Sequence, residues 1–219
     1  MESTLNQLFS RRYWLLFASL AFTILMLAIR LLLTDSIFGL FLVWNLFLAG
    51  VPLFLALWLR EVRGKKGNPL WQMALFIAWL LFFPNAMYIV TDLFHLKMRL
   101  PVPLWFDMIL LFSAAWNGLI LGFKSLSIVQ GIFADMFNKT VGVLLAIGFM
   151  FLAGYGIYLG RYIRWNSWDV ISNPLSLASD IAGHLMHPHH HLFMYGFVFL
   201  FGSFMCLAYF AMQRNATVT

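Results

Sequence analysis

Four residues with chemically useful side chains fall at 3–4–3 spacing in FFPNAMYIVTDLFHL, Phe82 to Leu96: Asn85, Tyr88, Asp92 and His95. At roughly 100° per residue they share one stripe about 80° wide on a helix, while Ala86, Val90, Leu93 and Phe94 point elsewhere. Asp92 and His95, at i and i+3, could hold a divalent metal such as zinc through an oxygen and a nitrogen. They could equally form a carboxylate–imidazole pair that orients a general base, with Tyr88 and Asn85 donating hydrogen bonds to a reacting oxygen. The plain alternative is a helix end at a membrane interface, with Asp92 as a cap and His95 solvated. Pro84 has no N–H and clashes with the carbonyl four residues back, so a kink or break is expected there, freeing the Leu80 carbonyl for a polar partner.

Three further groups could complete a site. In PVPLWFDMILLF, Asp107 follows Trp105 at the mouth of an apolar run, as a third metal ligand or as the partner of Arg161 or Arg164 in a salt bridge. Asn117, farther along that run, reads as a hydrogen bond to a neighbouring helix. In GRYIRWNSWD, Arg161 and Arg164 are three apart, and on a helical extension they would share a face and clamp a phosphate or carboxylate. Asn166 and Trp105 would add substrate contacts, and Trp165 and Trp168 read as interfacial anchors. In GHLMHPHHHLF, His187 and His189 are weaker metal candidates, because such a tract binds transition metals by composition alone.

The elements that must position these groups are membrane helices. The 219 residues are 63% hydrophobic and 10% charged, with mean hydropathy +0.86, against roughly a quarter charged in a soluble domain. Apolar runs long enough to cross ~30 Å of hydrocarbon recur along the chain, and strand alternation is absent. We read an all-α polytopic bundle of six spans, at about 13–33, 37–59, 70–90, 104–123, 141–159 and 192–212, forming one domain. The apolar run after Arg11 and Arg12 is longer than a signal-peptide core and lacks a small-residue cleavage site, so it is read as a retained first span. The segment KSLSIVQGIFADMFNK has apolar residues at helical spacing and reads as an interfacial amphipathic connector. Cys206 stands alone, so cysteine pairs and CxxC motifs are excluded.

Net charge is +6, but the basic residues lie in short loops beside apolar runs, a topology pattern rather than a nucleic-acid footprint. Counted on alternate sides, nine Lys and Arg face five, which places both termini in the cytoplasm of a bacterial-type inner membrane. The stripe, Asp107, the 160–191 segment and all six histidines then fall on the outer side.

FFPNAMYIVTDLFHL, followed by WFD, GLILGFKSL and GRYIRWNSWD, resembles the prokaryotic integral-membrane family known as domain of unknown function 1361. Its hallmark core is matched by Pro84, Asn85, Tyr88, Thr91, Asp92 and His95, with a match implied from about span three to span six. The resemblance implies a membrane location and weight on this stripe, and it carries no activity. The residues themselves point to an outward-facing polar cleft. Its leading use is a metal-assisted hydrolase or transferase acting on a lipid-linked or anionic substrate. A transporter or a non-catalytic subunit bound to a membrane-protein partner is the alternative.

Overall fold

The computed structural model describes residues 14–34, 37–99 and 101–216, with backbone only for 214–216. Arg11, Arg12, Tyr13 and the Arg214 side chain, used in the span and charge readings, lie outside the described residues. The helices are α1 (Trp14–Leu32), α2 (Leu40–Gly64), α3 (Pro69–Tyr88), α4 (Leu104–Met136), α5 (Lys139–Tyr158), α6 (Asp169–Ser172), α7 (Pro174–Met186) and α8 (Leu192–Ala216). Among the described residues, six stretches are long and apolar enough to span a membrane: Trp14–Leu32, Leu40–Gly64, Pro69–His95, Leu104–Met136, Lys139–Ile163 and Pro188–Gln213. The fold is thus the expected all-helical polytopic bundle.

Local chemistry sets the helix ends. Asn68 accepts from the Leu70 amide with Pro69 in the first turn of α3, and Asn138 accepts from Val141 at the start of α5. At the far end of α3 the chain tightens into a 3₁₀ segment, Ile89–His95. With three residues per turn, Asp92 and His95 lie directly one above the other. α3 runs unbroken through Pro84, so the expected break there does not occur and the change of winding comes one turn later, after Tyr88. The polar partner expected for Leu80 arrives one residue on: Ser167 donates to the Leu81 carbonyl at 3.0 Å.

α4 has 33 residues, about 50 Å at 1.5 Å per residue, well beyond the hydrocarbon thickness. The segment read as a separate interfacial connector is the continuation of α4, with Ser125, Leu126, Val129 and Ile132 buried against the bundle. The amphipathic helix outside the spans is α7 instead.

The core is a packed layer in which Trp79, Phe83 and Met87 of α3 meet Phe123 and Leu126 of α4, Met150 and Ala153 of α5, and Met205 and Tyr209 of α8. With no hydrophobic driving force between helices in lipid, close approach depends on small residues. A Cβ on Gly118 of α4 would lie 2.1 Å from Ile89 Cγ2 and 2.5 Å from the Ala86 carbonyl oxygen; one on Gly156 of α5 would lie 2.8 Å from the Pro84 ring. α1 is stitched to α4 by polar contacts: Asn117 donates to Thr23 at 2.8 Å and to the Ser19 carbonyl at 3.2 Å, as expected of a helix-bridging amide.

Candidate functional site

Arg161 organises the far end of α3. It projects from the wide π-type turn Leu159–Ile163 that closes α5. Its Nη2 donates to the Thr91 carbonyl at 2.7 Å and to His95 Nδ1 at 3.0 Å. Its Nη1 donates to Tyr88 Oη at 3.3 Å and stands 3.5 Å from Asp92 Oδ1. A guanidinium only donates, so His95 Nδ1 accepts and the ring proton belongs to Nε2. Asp92, 1% exposed, takes its second partner from α2: Asn45 Nδ2 donates to Oδ2 at 2.6 Å. The planar fork lets one side chain join three of the four stripe residues, which a point-charge lysine could not do.

Asn85, the fourth, faces a different partner. It donates to Ser167 Oγ at 2.9 Å, and Ser167 in turn binds the α3 backbone, so this relay moors the 165–168 loop. Beside it opens a cavity of about 390 Å³ between α2, α3 and α5. Its walls are apolar, with Leu48, Leu80, Leu81, Pro84, Leu152 and Leu159, and its polar end carries Asn45, Asn85, Tyr88, Tyr155, Asn166 and Ser167. Asn45 and Tyr88 thus touch both the cavity and the Asp92–Arg161–His95 cluster behind it.

A family model described as a protein of unknown function, DUF1361, matches residues 44–207. The chain belongs to the DUF1361 family. In this DUF1361 protein the matched stretch starts one span earlier than the stripe implied, and it takes in Asn45, which holds Asp92. No curated protein and no solved structure matches the chain.

α7 roofs the cavity of the DUF1361 chain. Leu177 and Ile181 reach into it, while Trp165 Nε1 donates to Asp180 at 2.8 Å. His184 is buried, with Nδ1 2.8 Å from Tyr155 Oη, and its carbonyl accepts from Tyr195 at 2.9 Å. Burial holds the His184 pKa below the ordinary imidazole range, and neighbouring His191 pushes it the same way while Asp180 opposes. Asp169, at the loop's end, is held below the usual carboxylate range by the Asn166 amide, 2.6 Å away, and by Ser172.

Other expected site residues fall elsewhere. Asp107 is 1% exposed and paired neither with Arg161 nor with Arg164 but with Arg30 of α1, Nε to Oδ1 at 2.7 Å. It is therefore not a wall of the cleft. The helical extension that would have put Arg161 and Arg164 on one face ends at Arg164, whose φ of 72° turns the chain, and Arg164 is exposed. Trp105, 58% exposed, stands on the surface of α4 rather than in the cavity. Arg30, Asn45, Ser167 and Tyr155 were not singled out in the sequence. An arginine inside an apolar run is the one legible signal among them, since it requires an acid partner.

A divalent ion such as zinc fits this donor set poorly. Asp92 and His95 both face the Arg161 guanidinium, so a fixed positive charge stands where the cation would go, and Asp107 is already paired. His187 and His189 are exposed, and among the described residues no three His, Cys, Asp or Glu converge as a metal-holding group.

Proposed function

We propose that this protein binds a lipid-linked or otherwise amphiphilic molecule in the cleft between α2, α3 and α5 and acts on its polar head as a hydrolase or transferase. The observation that carries the reading is the cavity of about 390 Å³, apolar along its walls and polar at one end, where it meets a buried charged cluster. An acyl or isoprenoid chain matches the leucine-lined walls, and a hydroxyl- or phosphate-bearing head matches Asn45, Asn85, Tyr88 and Ser167. Asp92 would accept a proton and His95 Nε2–H would donate a hydrogen bond to the oxygen on which charge develops, while Arg161 keeps both in register. The positive-inside count supports an outward-facing cleft in a bacterial-type cytoplasmic membrane with both termini inside.

Transport receives less support, because the buried layer of Trp79, Phe83, Met87, Phe123 and Met150 fills the space that a polar path to the opposite end would need. A purely structural subunit would satisfy the stripe internally without an open cavity. Here the stripe is satisfied and the cavity is open beside it.

The test is native mass spectrometry of the full chain released from nanodiscs, with Leu152→Trp to fill the cleft and Asp92→Asn to remove the base. An amphiphile should be retained by the native protein and by Asp92→Asn, and lost by Leu152→Trp. A native protein that carries no such ligand above the level of bulk lipid overturns the reading.

A further inference from the structure

The polar face of KSLSIVQGIFADMFNK lies apart from the cleft. Lys124, Ser127, Gly131 and Asp135 recur at helical spacing on one face of α4, interleaved with Ile128 and Ile132. This face meets the last turn of α2, where Arg60 and Arg63 project, and together they enclose a second cavity of about 470 Å³. It lies at the end of the bundle opposite Asp92, since α3 starts beside the α2 terminus and runs away from it to the cluster. Three cations and a hydroxyl line it against a single carboxylate. Gly64 and Gly131 leave it open: a Cβ on either meets nothing within 4 Å. Ile128 and Ile132 give it an apolar flank.

We propose that this basic pocket binds the phosphate of an anionic phospholipid head group. Arginine pairs with phosphate oxygens in a bidentate fork, a lysine and a hydroxyl add single donors, and Ile128 and Ile132 pack on the glycerol and upper chain. A basic pocket between spans beside a basic loop is the setting in which an anionic leaflet supplies such a ligand. Free phosphate shares the same oxygen chemistry, so the test separates the two sources.

The full chain is reconstituted in nanodiscs of phosphatidylcholine alone or with phosphatidylglycerol, and retained lipid is counted by native mass spectrometry, with and without millimolar inorganic phosphate. We expect selective retention of phosphatidylglycerol that falls about thirtyfold in Arg63→Gln/Lys124→Gln, from two lost cations. Lys66→Gln, in the same loop but outside the cavity, should leave retention unchanged. Asp135→Asn should raise retention about fivefold by removing the carboxylate that lines the cavity, a gain that misfolding cannot produce. Displacement by inorganic phosphate would show that the site takes soluble phosphate and overturn the lipid assignment. Equal retention in native protein and Arg63→Gln/Lys124→Gln, or an equal loss in Lys66→Gln, overturns the pocket itself.

Discussion

Arg30 of α1 and Asp107 of α4 form an ion pair in which both side chains are 1% exposed, with Nε 2.7 Å from Oδ1. A second contact, Arg30 Nη1 to Thr34 Oγ1 at 2.7 Å, occupies another guanidinium hydrogen. Removing one partner strands the other charge in a dry environment. Asp107→Asn or Arg30→Leu should therefore cost about 3–5 kcal/mol, read as a lower thermal midpoint in detergent. The double replacement Arg30→Met/Asp107→Leu should recover most of that loss. Full additivity of the two single losses would show that the pair is not coupled.

Gly118 marks the tightest approach of α4 to the α3 terminus. Gly118→Ala places a methyl 2.1 Å from Ile89 Cγ2 and 2.5 Å from a backbone carbonyl. The 3₁₀ segment must shift, at a cost of about 1–3 kcal/mol. Because that segment carries Asp92 and His95, ligand retention in the cleft should fall along with stability. Gly148→Ala, where a Cβ meets nothing within 4 Å, serves as the neutral comparison.

Arg161→Lys tests whether geometry or charge matters in the cluster. Lysine keeps the positive charge but cannot reach Tyr88, Thr91, Asp92 and His95 together. We expect the turnover of the cleft's ligand to fall about a hundredfold, from the loss of two charge-assisted contacts, with a smaller change in its retention. Native turnover in Arg161→Lys would reduce Arg161 to a general counter-charge.

His184 makes the docking of α7 sensitive to pH. Its pKa is depressed in the fold, chiefly by burial, so the undocked helix binds a proton more readily than the docked one. Docking is then strongest above the ordinary imidazole range and weakens as pH falls below it. The groups facing His184 are Tyr155, Tyr158, His191, Tyr195 and Asp180, and of these only Asp180 favours the proton electrostatically. A spin label at Leu185, 69% exposed, should gain mobility between pH 7.5 and pH 5. His184→Leu should abolish that dependence.

How far the sequence carries can be judged residue by residue. Apolar run length located the six spans, because hydrocarbon thickness sets a minimum that composition reports directly. The stripe was visible as Tyr88, Asp92 and His95 on one face; Asp92 and His95, three apart, stay aligned where the winding tightens to 3₁₀, and Arg161 joins them to Tyr88, four residues back. Pro84 misled, since a helix packed on both sides can pass through proline when a neighbouring hydroxyl serves the backbone, as Ser167 does. The α4 extension looked like a separate surface helix because its polar face lines a cavity rather than the membrane interface.

The sequence alone thus determined that this is a six-span helical membrane protein with a polar stripe at the end of its third span, since transfer energies and helical periodicity are local properties of the chain. Only the tertiary structure decided which charges meet. Arg30 rather than Arg161 neutralises Asp107, and Arg161 bridges Asp92 and His95. A buried carboxylate must find a cation or hydrogen-bond donors, but which one it finds depends on helix packing and on where the chain turns, at Arg164 and after Tyr88, and no periodicity records that.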